Sequence, residues 1–323
     1  TLDVVLDYLF GDFLITKKTT FFGNNYLSYH SVFVDGSSSS PPPSLALIWD
    51  KGLRYTEKNL TDELTYASSS VSIDKSVESL TFSPSHIDDQ HSKQMFNDNI
   101  DWVAVRNKYF IMAILPEVST FGFSQSSSYV LNESFPIVPC YGVGVGNSGG
   151  LRFDARLYLG PLDIDYINEL DSSLDRIMNF GWFIIQPFSR GVLWLLKIMH
   201  STGLNYGIIL ILFAFIVRII TGPLTKKSFE SSQKMQSVQP KLQKIQEKFK
   251  KDTQKLNQEM VKLYKENQVN PLGGCLPMLL QMPLLFSLFL VFRSTIEFRG
   301  APFFGWISNL SQPDTVFNLP FYI

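Results

Sequence analysis

Arg218 is the residue whose type and position most directly suggest chemistry. It lies in Gly203–Gly222, twenty residues with no other charge, about four residues from the end of that stretch. A charged side chain at the centre of a bilayer costs on the order of 3 kcal/mol, and less near an interface. Two arrangements lower that cost. The guanidinium can snorkel to headgroups beside Lys226 and Lys227, or it can face a wet cavity between helices and attract acidic or polar segments of another chain. Position leaves both readings open. Gln281 is the second polar intruder, next to Met282-Pro283 in another apolar stretch. It can make one interhelical hydrogen bond, worth about 1 kcal/mol, or line the same cavity. Lys241, Lys244, Lys248 and Lys251 form a third constellation. Clustered lysines attract the phosphates of anionic lipid or ribosomal RNA, although each alone reads equally as solvated surface. Trp182 and Trp194 are of the type that anchors a helix at headgroup level.

Other reactive groups are sparse. His86 and His91 share a polar stretch, Ser85-His86-Ile87-Asp88-Asp89-Gln90-His91, that reads as solvated loop before metal site. His30 and His200 are isolated, and Cys140 and Cys275 lack metal-type spacing and lie in segments of opposite character. No nucleophile elbow, P-loop, dinucleotide fingerprint or zinc-protease pattern occurs. The expectation is therefore no enzyme, no cofactor, no metal and no small-molecule substrate.

The 323-residue chain falls into stretches of different character. Residues 1–160 alternate short apolar and β-branched runs with Ser/Asn/Asp/Gly/Pro clusters. Strands are expected at Phe13–Phe22, Leu45–Asp50, Trp102–Leu115 and Leu151–Leu159, with Gly142–Gly150 as a loop or turn and Ser37–Pro43 as a flexible insertion. Many short strands without a long helix suggest a sandwich. Thr1-Leu2-Asp3-Val4-Val5 has no signal-peptide pattern, so export is expected to depend on a targeting segment outside these residues.

After Gly160-Pro161 the character changes. Ile164, Ile167, Leu170, Leu174, Ile177 and Met178 recur at helical spacing within Leu162–Phe180. Trp182–His200 reads as an amphipathic helix at a membrane interface, with a core helix of the sandwich as the alternative. Gly203–Gly222 is long enough to span a bilayer. Gln268–Phe292, charge-free over 25 residues, is a second candidate span despite Pro277 and Pro283. Between them Met235, Val238, Leu242, Ile245 and Phe249 form one helical stripe, and Leu256, Met260 and Leu263 another. A break at Lys250-Lys251-Asp252 makes the pair a helical hairpin.

Charge orients these elements. Net charge is −1 overall, but residues 1–162 carry 11 Lys/Arg against 17 Asp/Glu, a net of −6, and residues 226–267 carry 11 Lys against 5 acids, a net of +6. Residues 163–206 net −2. The positive-inside rule then places the hairpin in the cytoplasm and the β domain outside.

Several of these segments are specific beyond their pattern. They are Ile216-Val217-Arg218, Pro223-Leu224-Thr225-Lys226, Lys234-Met235, Gln239-Pro240-Lys241, Gln258-Glu259-Met260, Leu263-Tyr264-Lys265, Val269-Asn270-Pro271-Leu272-Gly273-Gly274-Cys275 and Leu279-Leu280-Gln281-Met282-Pro283. Together they make Trp182–Leu310 resemble the YidC family of membrane-protein insertases. Trp102-Val103-Ala104 with Tyr109-Phe110, and Leu159-Gly160-Pro161, look like the end of the large periplasmic domain of Gram-negative members. The resemblance implies an α+β membrane protein: a periplasmic β-supersandwich at 1–161 and connecting and interfacial helices at 162–202. A transmembrane helix at 203–225, a cytoplasmic basic hairpin at 226–267, a second transmembrane helix at 272–296 and a periplasmic loop at 297–323 follow. An anchor helix before these residues and two membrane helices after them are expected from the family. It also implies a groove open to cytoplasm and lipid, with Arg218 and Gln281 inside it.

The resulting expectation is an insertase and chaperone of the bacterial inner membrane, multi-pass, acting alone or with the Sec translocon. Its partners would be nascent membrane-protein clients, the ribosome and the lipid bilayer. A transporter or channel with Arg218 as substrate counter-charge is an alternative, weakened by the lack of an internal repeat. A membrane-anchored, glycan-binding sandwich is another, but it leaves the basic hairpin without a role.

Overall fold

The computed structural model describes residues 1–36, 44–81, 92–97, 99–129, 138–170, 173–178, 180–250, 252–267, 269 and 276–313. The chain divides into two compact units, one of Thr1–Asn179 with Ser294–Ile296, the other of Phe180–Arg293 with Glu297–Ile323.

The first unit is a sandwich of two antiparallel sheets. Its strands are β1 (Leu2–Phe10), β2 (Phe13–Phe21), β3 (Leu27–Gly36), β4 (Leu45–Trp49), β5 (Ser68–Ile73), β6 (Ser76–Thr81), β7 (Ser92–Phe96), β8 (Ile100–Arg106), β9 (Phe110–Pro116), β10 (Phe121–Tyr129), β11 (Val138–Asn147) and β12 (Arg152–Pro161). Eight strands pair in the order β1-β2-β3-β12-β9-β8-β5-β6 and four in the order β4-β11-β10-β7. A five-residue helix, α1 (Leu60–Leu64), precedes β5 and is capped by the Asn59 side chain.

The expected single strand Trp102–Leu115 is two, β8 and β9, joined by a turn in which Asn107 Oδ1 accepts the N–H groups of Tyr109 and Phe110 at 3.1 and 2.8 Å. The segment is apolar throughout because both faces are covered. Val103, Val105, Met112 and Ile114 enter the core against Tyr141, Val143 and Val145 of the facing sheet. Trp102, Ala104, Ile111, Ala113 and Leu115 point the other way, onto Leu162, Ile167, Leu170, Leu174 and Ile177. Period-2 alternation puts neighbours on opposite faces, so a strand covered on both sides reads as one apolar run.

That second layer differs from the sequence expectation. The helical spacing after Gly160-Pro161 becomes a short helix, α2 (Ile164–Asn168), and a 3-10 turn, Ser173–Ile177. Their apolar residues seat on the sheet, and Arg106, buried, donates from Nη1 to the Ile177 carbonyl at 2.6 Å. Burial pushes the Arg106 guanidinium down to about 10.

The Gly142–Gly150 expectation is corrected by β11, which runs through Asn147. Gly142, Gly144 and Gly146 alternate with Val143 and Val145. A Cβ on Gly144 would collide with the Phe123 ring, and one on Gly146 with the Leu45 carbonyl. The glycines are therefore the close-packed face of a strand whose valines form the core. His86 and His91 lie outside the described residues.

The second unit is helical: α3 (Gln186–His200), α4 (Tyr206–Lys248), α5 (Thr253–Glu266) and α6 (Leu276–Ser294). Helix α4 is continuous through Pro223 and Pro240 for 43 residues, about 65 Å at 1.5 Å per residue. The candidate span and the first arm of the hairpin are therefore one rod. Asn205 caps α4 by accepting from Gly207 N at 2.8 Å, and Asp252 caps α5 by accepting from Lys255 N at 3.0 Å.

Candidate functional site

Within α4 the window Tyr206–Pro223 has a mean hydropathy of 2.1, and only 17% of it is buried by the rest of the chain. Among the described residues it is the one helix long and apolar enough to cross a membrane; Gln281–Ser294 is a shorter apolar helix. Low burial of so apolar a surface fits a helix facing lipid and does not fit a soluble core. The covered stripe of α4 is Ile209 and Phe213, with Ile216 and Val217 partly covered. Phe213 meets Phe292 of α6 edge to face, ring centroids 6.2 Å apart. Arg218 comes five residues after Phe213, about 140° round the helix. It therefore lies on the other side, among exposed Ile211, Phe215 and Ile219.

Gln281 is also exposed, near the start of the described part of α6. From Phe292 it lies eleven residues back, about 16 Å along the axis. Among the described residues no hydrogen bond or ion pair joins either the Arg218 or the Gln281 side chain to another, so these residues do not by themselves bring the two together.

The hairpin arms pack as their stripes imply. Val238, Leu263 and Val269 are buried together, with Met235, Leu242 and Ile245 against them. Lys241, Lys244 and Lys248 stand on the exposed side of α4 at a spacing of three and four. Lys241 Nζ also donates to Asn267 Oδ1 at 3.2 Å, and Lys248 sits 5.4 Å from the Phe249 ring centroid. Lys251 lies outside the described residues.

Helix α3 buries Ser189, Val192, Leu193 and Leu196 and exposes Phe188, Trp194 and Ile198. Trp182, ahead of the helix, is 66% exposed and Trp194 63%. The uncovered side of α3 thus carries Phe188, Trp194 and Ile198 together with the polar Arg190 and His200. His200, isolated in sequence, stacks on Tyr206 with ring centroids 3.9 Å apart.

Sequence reasoning missed what ties these helices together. Lys197 of α3 pairs with Glu297 at 3.3 Å, one hundred residues away. Asn205 Nδ2 donates to Pro302 O at 2.6 Å. No local pattern announces a pairing at such separation. Among the described residues no group of three His, Cys, Asp or Glu could hold a metal ion.

A β-sandwich followed by a helical region that contains one apolar helix of membrane-spanning length is the architecture of a membrane protein that carries a folded domain ahead of a candidate span. Two family models match the chain: the YidC periplasmic domain over residues 1–195 and the 60Kd inner membrane protein over residues 197–323. The chain belongs to the YidC family. Among similar proteins, the membrane protein insertase YidC of Chlorobium phaeovibrioides is 39% identical over 96% of this chain and 53% of its own length. That of Chlorobaculum tepidum is 38% identical over 94% and 51%, and that of Chloroherpeton thalassium 35% over 94% and 52%. The chain spans about half the length of these relatives.

Proposed function

We propose that this chain is part of an inner-membrane insertase that moves client proteins into the bilayer without covalent chemistry. The observation that carries the reading is Arg218: a lone cation on the uncovered face of a membrane-length helix, in a chain of the YidC family. A cation in a low-dielectric surrounding attracts a client's carboxylates and polar backbone far more strongly than one in water. The driving energy is burial of client apolar side chains in lipid, roughly 25 cal/mol per Å². Gln281 supplies a second polar wall of a groove around Arg218, contributed by α6.

The domain arrangement follows the charge. The sandwich and α3 lie on the periplasmic side, Tyr206–Pro223 and α6 cross the membrane, and the basic hairpin projects into the cytoplasm. There Lys241, Lys244, Lys248 and Lys251 meet ribosomal RNA or anionic lipid. Cooperation with the Sec translocon and chaperoning of client helices belong to the same reading.

The test replaces Arg218 in cells depleted of their own insertase. Insertion of clients with acidic periplasmic tails, normalised to correctly oriented protein, should fall at least about tenfold in Arg218→Ala, equivalent to about 1.4 kcal/mol. Arg218→Lys should retain most activity, because the interaction works through charge. Normal insertion by Arg218→Ala would leave the residue a snorkelling anchor and sink the proposal.

A further inference from the structure

Residues 300–313 form a compact uncharged segment after α6. Phe303 N donates to Ile307 O at 2.9 Å and closes a tight turn, and Leu310 N donates to Ala301 O at 3.0 Å. Asn309 Oδ1 accepts from Gly300 N at 2.9 Å, from Ser311 N at 3.0 Å and from Ser311 Oγ at 2.8 Å. Gly305 has φ +72°, a conformation open to glycine at little cost. The turn displays Phe304, 82% exposed, and Trp306, 65% exposed, on either side of Gly305 in the chain.

We propose that this turn is a lipid-interface anchor, with Phe304 and Trp306 inserted among the headgroups and acyl carbonyls of the outer leaflet. The inference rests on reading Tyr206–Pro223 as a span. The depth comes from the base of the turn. Phe303 seats against Gly207, and Asn205, the cap of α4, holds the Pro302 carbonyl at 2.6 Å. The apolar window begins at the next residue, Tyr206. The turn therefore stands at the level where α4 enters the bilayer.

The chemistry selects lipid over a protein surface. Fourteen consecutive residues without charge offer no electrostatic recognition, whereas an indole has an apolar body for the acyl boundary and an N–H for carbonyl or phosphate oxygens. A base tied by hydrogen bonds and the Gly207 contact loses little further entropy when the two rings insert.

The experiment uses the chain with Cys140 and Cys275 replaced by Ala, reconstituted in phosphatidylcholine–phosphatidylglycerol vesicles. A nitroxide is attached at Phe304→Cys, leaving Trp306 in place, and its collisions with oxygen and with a water-soluble nickel chelate are measured. Probes at Asn24→Cys in the sandwich and Phe215→Cys in α4 set the aqueous and membrane-core references. Collisions with the nickel chelate at residue 304 should be at least about threefold rarer than at residue 24, with oxygen collisions between the two references. Chelate collisions as frequent as at residue 24, with Phe215→Cys protected, would overturn the anchor and leave the span intact. Chelate access at Phe215→Cys as well would overturn both.

Discussion

The Phe303 ring lies so close to the Cα of Gly207 that no side chain fits between them. Gly207 is the second residue of α4, and Phe303 follows α6 by nine residues. This contact joins the segment after α6 to the start of the candidate span. Gly222, near the other end of the span, has open space where a Cβ would point.

Gly207→Ala should therefore destabilise the helical unit, although alanine is the better helix former by about 1 kcal/mol. Overpacking of this kind costs roughly 1–3 kcal/mol. Gly222→Ala should leave the melting temperature in detergent unchanged or raise it. If both variants melt alike, the Phe303 contact contributes nothing.

His30 should make the sandwich sensitive to acid. Its Nδ1 lies 3.2 Å from Thr19 Oγ1 and its Nε2 3.0 Å from Ser28 Oγ, an arrangement that suits the neutral ring. Burial, then the charge of Lys17, lowers the ring pKa to about 4 from an ordinary 6.5. Between these values the unfolded chain binds a proton that the folded chain refuses. Stability is full above pH 6.5 and falls as pH drops through about 4, by about 1–2 kcal/mol for a half-buried ring. Urea midpoints at pH 7 and pH 4.5 should converge in His30→Gln relative to the unsubstituted protein. An unchanged difference assigns the acid sensitivity to other groups.

The proposed orientation rests on the +6 segment between the apolar helices. In intact cells carrying a Cys140→Ala, Cys275→Ala background, a membrane-impermeant maleimide should label Asn24→Cys and miss Ser232→Cys. Labelling of Ser232→Cys without lysis would reverse the orientation.

The hairpin lysines should act through charge. Replacing Lys241, Lys244, Lys248 and Lys251 with Gln should weaken binding to ribosomes or to vesicles rich in phosphatidylglycerol. The loss should shrink as salt rises from about 0.05 to 0.5 M and screening shortens the reach of each charge. Equal binding by both proteins at every salt concentration would reduce the lysines to topology signals.

The sequence by itself determined whatever is periodic and local. Phe153, Ala155 and Leu157 alternate with polar residues because one strand face is core, and Met235, Val238, Leu242 and Ile245 recur at three and four because one helix side is covered. An apolar run of about twenty residues broken only by Arg218 likewise reads as a candidate span, since each backbone group in lipid must bond within its own helix. The tertiary structure alone decided which faces meet. It divided Trp102–Leu115 into two strands covered on both sides, broke the acid-rich segment into α2 and a 3-10 turn on the sheet, and continued α4 through two prolines. It also paired Lys197 with Glu297 and Gly207 with Phe303, and left Arg218 on the uncovered side of its helix. Periodicity is a relation between neighbours in the chain. Coverage is a relation between residues a hundred apart, set by which elements the whole chain can pack together at once.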